Sequence, residues 1–287
     1  MISLVFVSAL AFGGGGILGR NLAAKGITSD NALKNYQKPL LYLLLAIASF
    51  LGSLILLDRY HLARLLPKIL PPMLLIYLAG YFQQTLLGLG CFFLGLLVFL
   101  ELSGKRSPRK ILQLLVATGA ISLALGILLF FLRPVQALVA QSKISDGIVM
   151  QTTLYTCAPA SIATLARYTQ KYPHLTEQEA VELTKTNRFG TTTLAEIRAL
   201  KKLDLNPQYH HNLTINDLIT LGQPALMHVK EKSKTGKGVR FSHAVAYLAV
   251  DRPKKLVLIG NPLYGLQIKT FAELDQYWFG EAIILIR

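Results

Sequence analysis

The sequence predicts an α-helical membrane bundle of four spans over residues 1–135, a linker at 136–145, and a mixed α+β domain over 146–287. Three observations carry this division. The first 145 residues contain four apolar runs near or above the roughly 18 residues a helix needs to cross a bilayer. From residue 146 onward those runs give way to capping boxes and short β-branched stretches. The charge balance changes at the same place, with 13 Lys/Arg against three acids before residue 146 and 17 against 12 after it.

The spans are expected at about 2–19, 40–57, 73–100 and 111–132, and they account for a chain that is 52% hydrophobic. The first lacks the basic start of a signal peptide and ends in Gly15-Ile-adjacent glycines with a small-xxx-small spacing to Gly19, which suits close packing on another helix. The third carries Gln83-Gln84-Thr85 at its middle. Polar groups in lipid normally face a partner helix or a wet cavity, and here they read as helix glue.

In the second part, a helix is expected over 158–170, with Ile162, Leu165 and Ala166 at three- and four-residue steps and Pro159 in the first turn, where its missing N–H costs nothing. Thr176-Glu-Gln-Glu179 and Thr193-Leu-Ala-Glu196 read as capping boxes of two further helices, ending near Thr186 and Leu203, and a short helix follows Thr214. Strands are expected over 224–230, 241–250, 256–260, 266–270 and 282–286. The lysine-rich stretch 231–240 reads as a solvated hairpin loop.

Cys157 stands directly before the first of these helices, in Gln151-Thr-Thr-Leu-Tyr-Thr-Cys157-Ala-Pro-Ala-Ser161. A thiol there feels the positive end of the helix dipole, which favours thiolate, the species that attacks a carbonyl. Gln151 offers an amide N–H that, beside the Cys157 backbone N–H, suits an oxyanion forming on a substrate. His243 opens the β-type run Phe241-Ser-His-Ala-Val and is the best base among six histidines. In a hairpin centred near Arg252, His243 and Asn261 are equidistant from the turn and oppose each other, with Cβ atoms about 4.5–5.5 Å apart. Asn261 then fixes the tautomer of the imidazole. His228, on the preceding strand, is the second choice of base. His174 and His210-His211 read as surface loop positions, and with no cysteine or carboxylate cluster beside them neither a metal nor a cofactor is expected.

These residues resemble the C39 peptidases, the bacteriocin-processing cysteine peptidases, and their looser relatives. The likeness covers roughly 146–287. It rests on Gln151 six positions before Cys157, on Cys157-Ala-Pro-Ala160 opening a helix, on His243-Ala-Val beginning a strand, and on Asn261-Pro262 after the next strand. Ala158 stands where that family usually has glycine, and Asn261 where it usually has aspartate. The resemblance implies a papain-like α+β domain and thiol peptidase chemistry through Cys157, His243, Asn261 and Gln151, in exporter-linked members acting after a double-glycine leader. The expected partners are a peptide or protein substrate, the lipid bilayer and other membrane-protein subunits. Two other readings stay open. In one, a catalytically inactive peptidase-like domain serves as a binding or assembly subunit of a membrane complex; in the other, the same thiol performs acyl or peptidyl transfer.

The net charge of +15 does not point to nucleic acid, because most of the excess flanks the spans and the second part shows no RNA-binding motif or interleaved basic and aromatic stripe. Anionic lipid headgroups are the better partner for it. The loops at 20–38 and 105–110 carry four Lys/Arg each, against three in the loop holding Arg59, Arg64 and Lys68 and two after the last span. The positive-inside rule therefore places the second part outside the cytoplasm, whereas exporter-linked relatives keep theirs within it. Cys91 falls inside the third span, so no disulfide to Cys157 is expected.

Overall fold

The computed structural model describes residues 2–27, 71–102, 108–232 and 240–286, with scattered positions between 38 and 49. They fall into two compact units, Met1–Phe131 and Leu132–Arg287.

The first unit contains helices α1 (Ile2–Ala24), α2 (Pro72–Leu102) and α3 (Pro108–Leu132). Among the described residues three stretches are long and apolar enough to cross a membrane: Val5–Ala24, Pro72–Leu102 and Leu114–Leu132. Of the span expected at 40–57 only Leu41, Tyr42, Leu45 and Ser49 are among the described residues, and the rest lies outside them. Helices α1 and α2 pack backbone to backbone, since a Cβ at Gly15 would run into the Phe92 carbonyl and one at Gly95 into that of Phe12. Small residues at helix interfaces permit this approach in an apolar medium, where packing rather than the hydrophobic effect drives association. Of the polar residues of α2, Thr85 is met by its own helix, its Oγ1 donating to Tyr81 O at 3.0 Å, and Gln84 and Thr85 border a groove beside Val7 and Ala11 of α1.

The end of the expected membrane region and the expected linker at 136–145 are bonded into the second unit, to Thr186 and to Glu177. Val135 is fully buried and donates its N–H to Thr186 O, and Ser142 Oγ donates to Glu177 Oε2. A two-residue hairpin follows, β1 (Ile144–Ser145) and β2 (Ile148–Val149), turned by Asp146 and Gly147, both at positive φ as a primed turn requires. Helices α4 (Cys157–Tyr168), α5 (Glu177–Thr184) and α6 (Thr193–Lys202) come next. After them run β3 (Pro207–His210), α7 (Ile215–Leu221), β4 (Ala225–Lys232), β5 (Arg240–Asp251), β6 (Leu256–Asn261), β7 (Gly265–Thr270), α8 (Phe271–Tyr277) and β8 (Trp278–Leu285).

The strands form one antiparallel sheet in the order β3-β8-β4-β5-β6-β7. One face, with Met227, Val229, Val245, Tyr247 and Ile259, packs on Leu218 of α7 and on Leu274 and Tyr277 of α8. The other receives α4, whose residues from Ala158 to Ala166 are all buried. Full burial of each Leu or Ile side chain contributes about 1.5–3 kcal/mol, so the central helix is a principal source of stability as well as the carrier of Cys157.

Two local expectations are corrected, and one element is added. The third soluble helix is capped by Thr192, which accepts from Ala195 N–H, one residue earlier than the Thr193 box implied. Residue 210 belongs to edge strand β3, which begins at Pro207, a position tolerated only where no ladder hydrogen bond is required of it. Thr270 and Glu273 form a capping box that starts α8, in the stretch between the last two expected strands, for which no element was expected. The lysine-rich loop at 233–239 lies outside the described residues.

Candidate active site

Helix α4 begins at Cys157 because Thr156 leaves the helical conformation and Pro159 cannot donate in the interior of a helix. The loop before it is tied down at several points. Gln151 N–H donates to Pro262 O at 3.0 Å, Thr152 N–H to Glu177 Oε1 at 2.9 Å, and Thr153 N–H to Thr156 Oγ1 at 3.3 Å. One turn further along the helix, buried Ser161 Oγ donates to Ala244 O at 3.0 Å, and Thr164 Oγ1 accepts from Val149 N–H at 3.0 Å. Ser161 therefore anchors the Cys157 helix to the residue next to His243.

Cys157, Ala158, His228, His243, Glu196 and Glu281 line one pocket. Its mouth carries Leu154, 87% exposed, and Phe189.

His243 is 4% exposed, and its Nε2 lies 3.1 Å from Asn261 Oδ1. The amide of Asn261 cannot be turned over: Oδ1 also accepts from Leu263 N–H at 3.0 Å, while Nδ2 donates to Glu231 Oε2 at 2.9 Å and to Gln267 Oε1 at 3.3 Å. An oxygen held toward Nε2 selects the tautomer with its hydrogen on Nε2, which leaves the lone pair on Nδ1. Burial pushes the His243 pKa below its ordinary value, partly offset by the bond to Asn261 and the charge of Glu231. A neutral ring with a free Nδ1 is the form a general base needs.

The expected contact between residues 243 and 261 is present, but the expected direct opposition is not. The ladder sets Asp251 against Leu256 and Ala249 against Leu258, then shifts, with Tyr247 against Ile259 and Ala246 against Gly260. Leu248 is the extra residue of this bulge. In an unshifted ladder Asn261 would stand beside Ala246 and point away from His243; the bulge returns it to the His243 face, displaced along the strand.

The Cys157 thiol departs from the expected thiolate. Burial pushes its pKa up, as does Glu196, against the downward pull of the Ala244 and Ala158 backbone N–H groups and of His228. The helix-end N–H is present, but desolvation outweighs it. Among the described residues no hydrogen bond joins the thiol to the His243 ring.

His228 is held as a cation. Its Nε2 lies 2.8 Å from Glu196 Oε2 and its Nδ1 3.2 Å from Glu281 Oε1. Tyr209 Oη donates to the same Glu281 oxygen at 2.8 Å. Burial alone would lower the His228 pKa, yet the two carboxylates carry it well above the ordinary value. With both ring nitrogens committed, His228 has no lone pair to offer and does not fit the part of second-choice base.

Gln151 gives its amide Nε2 to Thr153 O at 2.7 Å, and its Oε1 is buried without a partner. His174 is exposed, and His211 stacks on Tyr209. Among the described residues no cluster of His, Cys, Asp and Glu has a metal-ligand arrangement. The residues that sequence reasoning passed over are Glu196, Glu281, Glu231 and Tyr277; each is far in sequence from its partner, and only the polar residue type on a buried strand or helix position hinted at them.

No protein-family model matches the chain, and no curated protein matches it. Solved structures similar to it include a double glycine motif protease from an AMS/PCAT transporter in complex with the leader peptide, at 18% identity over 50% of this chain and 92% of that one, with a TM-score of 0.39. The peptidase domain of Streptococcus ComA, a bi-functional ABC transporter involved in quorum sensing, is 26% identical over 48% of this chain and 95% of that one, with a TM-score of 0.39. The same domain of Streptococcus mutans ComA is 25% identical over 49% and 99%, with a TM-score of 0.36.

Proposed function

We propose that this chain is a membrane-anchored cysteine peptidase, with Cys157 as nucleophile, His243 as general base and acid, Asn261 as the residue that orients it, and Gln151 as oxyanion donor. The observation that carries the reading is the 3.1 Å bond from His243 Nε2 to Asn261 Oδ1 in a pocket that Cys157 also lines. In the proposed cycle His243 Nδ1 takes the thiol proton as sulfur bonds to the scissile carbonyl carbon. The C–N bond then breaks, the amine leaves with that proton, and water hydrolyses the thioester with His243 again as base. The substrate is an extended peptide or polypeptide, and a double-glycine-type leader is the specific candidate. Ala158, buried at the pocket wall, narrows the approach relative to glycine. The peptidase unit is proposed to lie outside the cytoplasm, on the charge distribution of the loops.

The test is hydrolysis by the full-length protein of peptides ending in Gly-Gly or Gly-Ala against peptides with bulky residues before the scissile bond, beside Cys157→Ala and His243→Ala. Cleavage of the small-residue peptides that both substitutions abolish supports the reading; equal cleavage of all peptides removes the leader specificity.

A second reading, a binding subunit of a membrane complex that has lost activity, is favoured by one observation: among the described residues no hydrogen bond joins the Cys157 thiol to the His243 ring, while burial holds the thiol pKa above its ordinary value. Retention of the cellular phenotype by Cys157→Ala at normal protein level selects it.

A further inference from the structure

Glu231 is 8% exposed and stands on the strand before His243, yet the proposed chemistry assigns it nothing. Three donors converge on its carboxylate: Asn261 Nδ2 at 2.9 Å and Tyr277 Oη at 3.0 Å on Oε2, and Lys232 N–H at 3.2 Å on Oε1. Asn261 is in turn fully buried and touches His243 through its other end. Carboxylate, amide and imidazole thus form one chain of hydrogen bonds across β4, β6 and β5. We propose that Glu231 is a positioning residue of the site, holding Asn261 with its amide oxygen toward His243 and setting a negative charge behind that pair. This rests on the peptidase reading above and deepens it.

The argument is one of orientation and of charge. An asparagine beside a histidine can present oxygen or nitrogen, and only oxygen supports the Nε2–H tautomer. Glu231 accepts only and therefore draws Nδ2, which turns Oδ1 the other way. Asparagine is also neutral, so it cannot by itself stabilise the imidazolium that forms when the thiol gives up its proton. A carboxylate one amide further back polarises Oδ1 and supplies that stabilisation through a low-dielectric interior. The titratable groups that act on Glu231 from neighbouring elements are His243 on β5 and Tyr277 on α8; Arg240 on β5 pairs in the ladder with Lys232, and Lys269 on β7, with Nζ 4.6 Å from the ring centre, and Tyr264 stand about Tyr277. Arg240 Nη1 donates to Gln276 O at 3.2 Å, and burial followed by Glu231 raises the Tyr277 hydroxyl well above its ordinary pKa, so it donates throughout the working range.

The experiment is the pH profile of Cys157 alkylation by iodoacetamide in full-length protein in detergent. It compares the wild type with Glu231→Gln, Asn261→Ala, the double variant and His243→Ala, each checked for fold by near-UV circular dichroism. Glu231→Gln keeps an acceptor for Asn261 and removes the charge. The expected result is an onset of fast alkylation displaced upward by about one pH unit, a tenfold loss of thiolate at fixed pH. No further displacement is expected when Glu231→Gln is added to Asn261→Ala, because the effect travels through Asn261. Superposed profiles for wild type and Glu231→Gln, with His243→Ala displaced, overturn the positioning role and leave the peptidase reading standing. An equal displacement in the Asn261→Ala background, or a variant that loses its tertiary signal, also overturns it, since Glu231 then acts elsewhere or only on the fold. An ordinary thiol profile shared by wild type and His243→Ala removes the peptidase reading and this inference together.

Discussion

His243 Nε2 and Asn261 Oδ1 stand 3.1 Å apart although the β5–β6 ladder does not set the two residues opposite one another. The contact exists because the bulge at Leu248 shifts the frame by one residue and because Leu263, Glu231 and Gln267 hold the amide in one orientation.

Asn261→Asp is expected to harm rather than improve the site. Its carboxylate would replace an amide nitrogen 2.9 Å from Glu231 Oε2, and two carboxylates at that distance cannot both ionise freely. The pair would bind a proton more tightly folded than unfolded, so the variant should lose stability relative to wild type as pH rises above the ordinary carboxylate range. Melting temperatures of the variant and wild type between about pH 5 and pH 8 check this; a gap that does not widen toward high pH would contradict it.

Ser161→Ala removes the bond that ties α4 to Ala244. Losing a buried hydrogen bond and leaving its acceptor unpaired costs about 1–3 kcal/mol. Because Ala244 adjoins His243, kcat should fall together with melting temperature while KM stays close to wild type.

His228→Gln leaves Glu196, whose side chain is 3% exposed, without its cationic partner. One hydrogen bond is retained by the amide, so the expected loss is about 1–3 kcal/mol rather than the 3–5 of an unpaired buried charge. The folded pKa of His228 is raised above its unfolded value, so the charged pair stabilises fully below about pH 6.5 and fades as pH rises through the folded value. The difference in melting temperature between the two proteins should therefore shrink from pH 6.5 toward alkaline pH.

Membrane orientation is checked with a membrane-impermeant maleimide on intact cells carrying Cys157→Ala with Leu154→Cys, an 87% exposed position. Labelling without permeabilisation is expected from the loop charges. Labelling only after permeabilisation would place the unit in the cytoplasm.

Hydrophobic runs, capping boxes and alternation are local properties of the chain, and they determined much by themselves. Three apolar helices, the helix behind Cys157, the box at Thr176, the short helix after Thr214, and the strands carrying His228 and His243 and leading to Asn261 were all legible because each needs only neighbours within a few residues. The tertiary structure decided what depends on register and burial. A one-residue bulge, invisible in a run of Ala, Val and Leu, chose the face of Asn261. Desolvation by elements distant in sequence turned a helix-start thiol from thiolate-favouring to raised. The contacts of His228 with Glu196 and Glu281, and of Asn261 with Glu231, join residues 30 to 53 positions apart, and no local pattern encodes such a meeting. Local preference selects the elements; only packing brings their polar groups within the 3 Å at which hydrogen bonds assign protons.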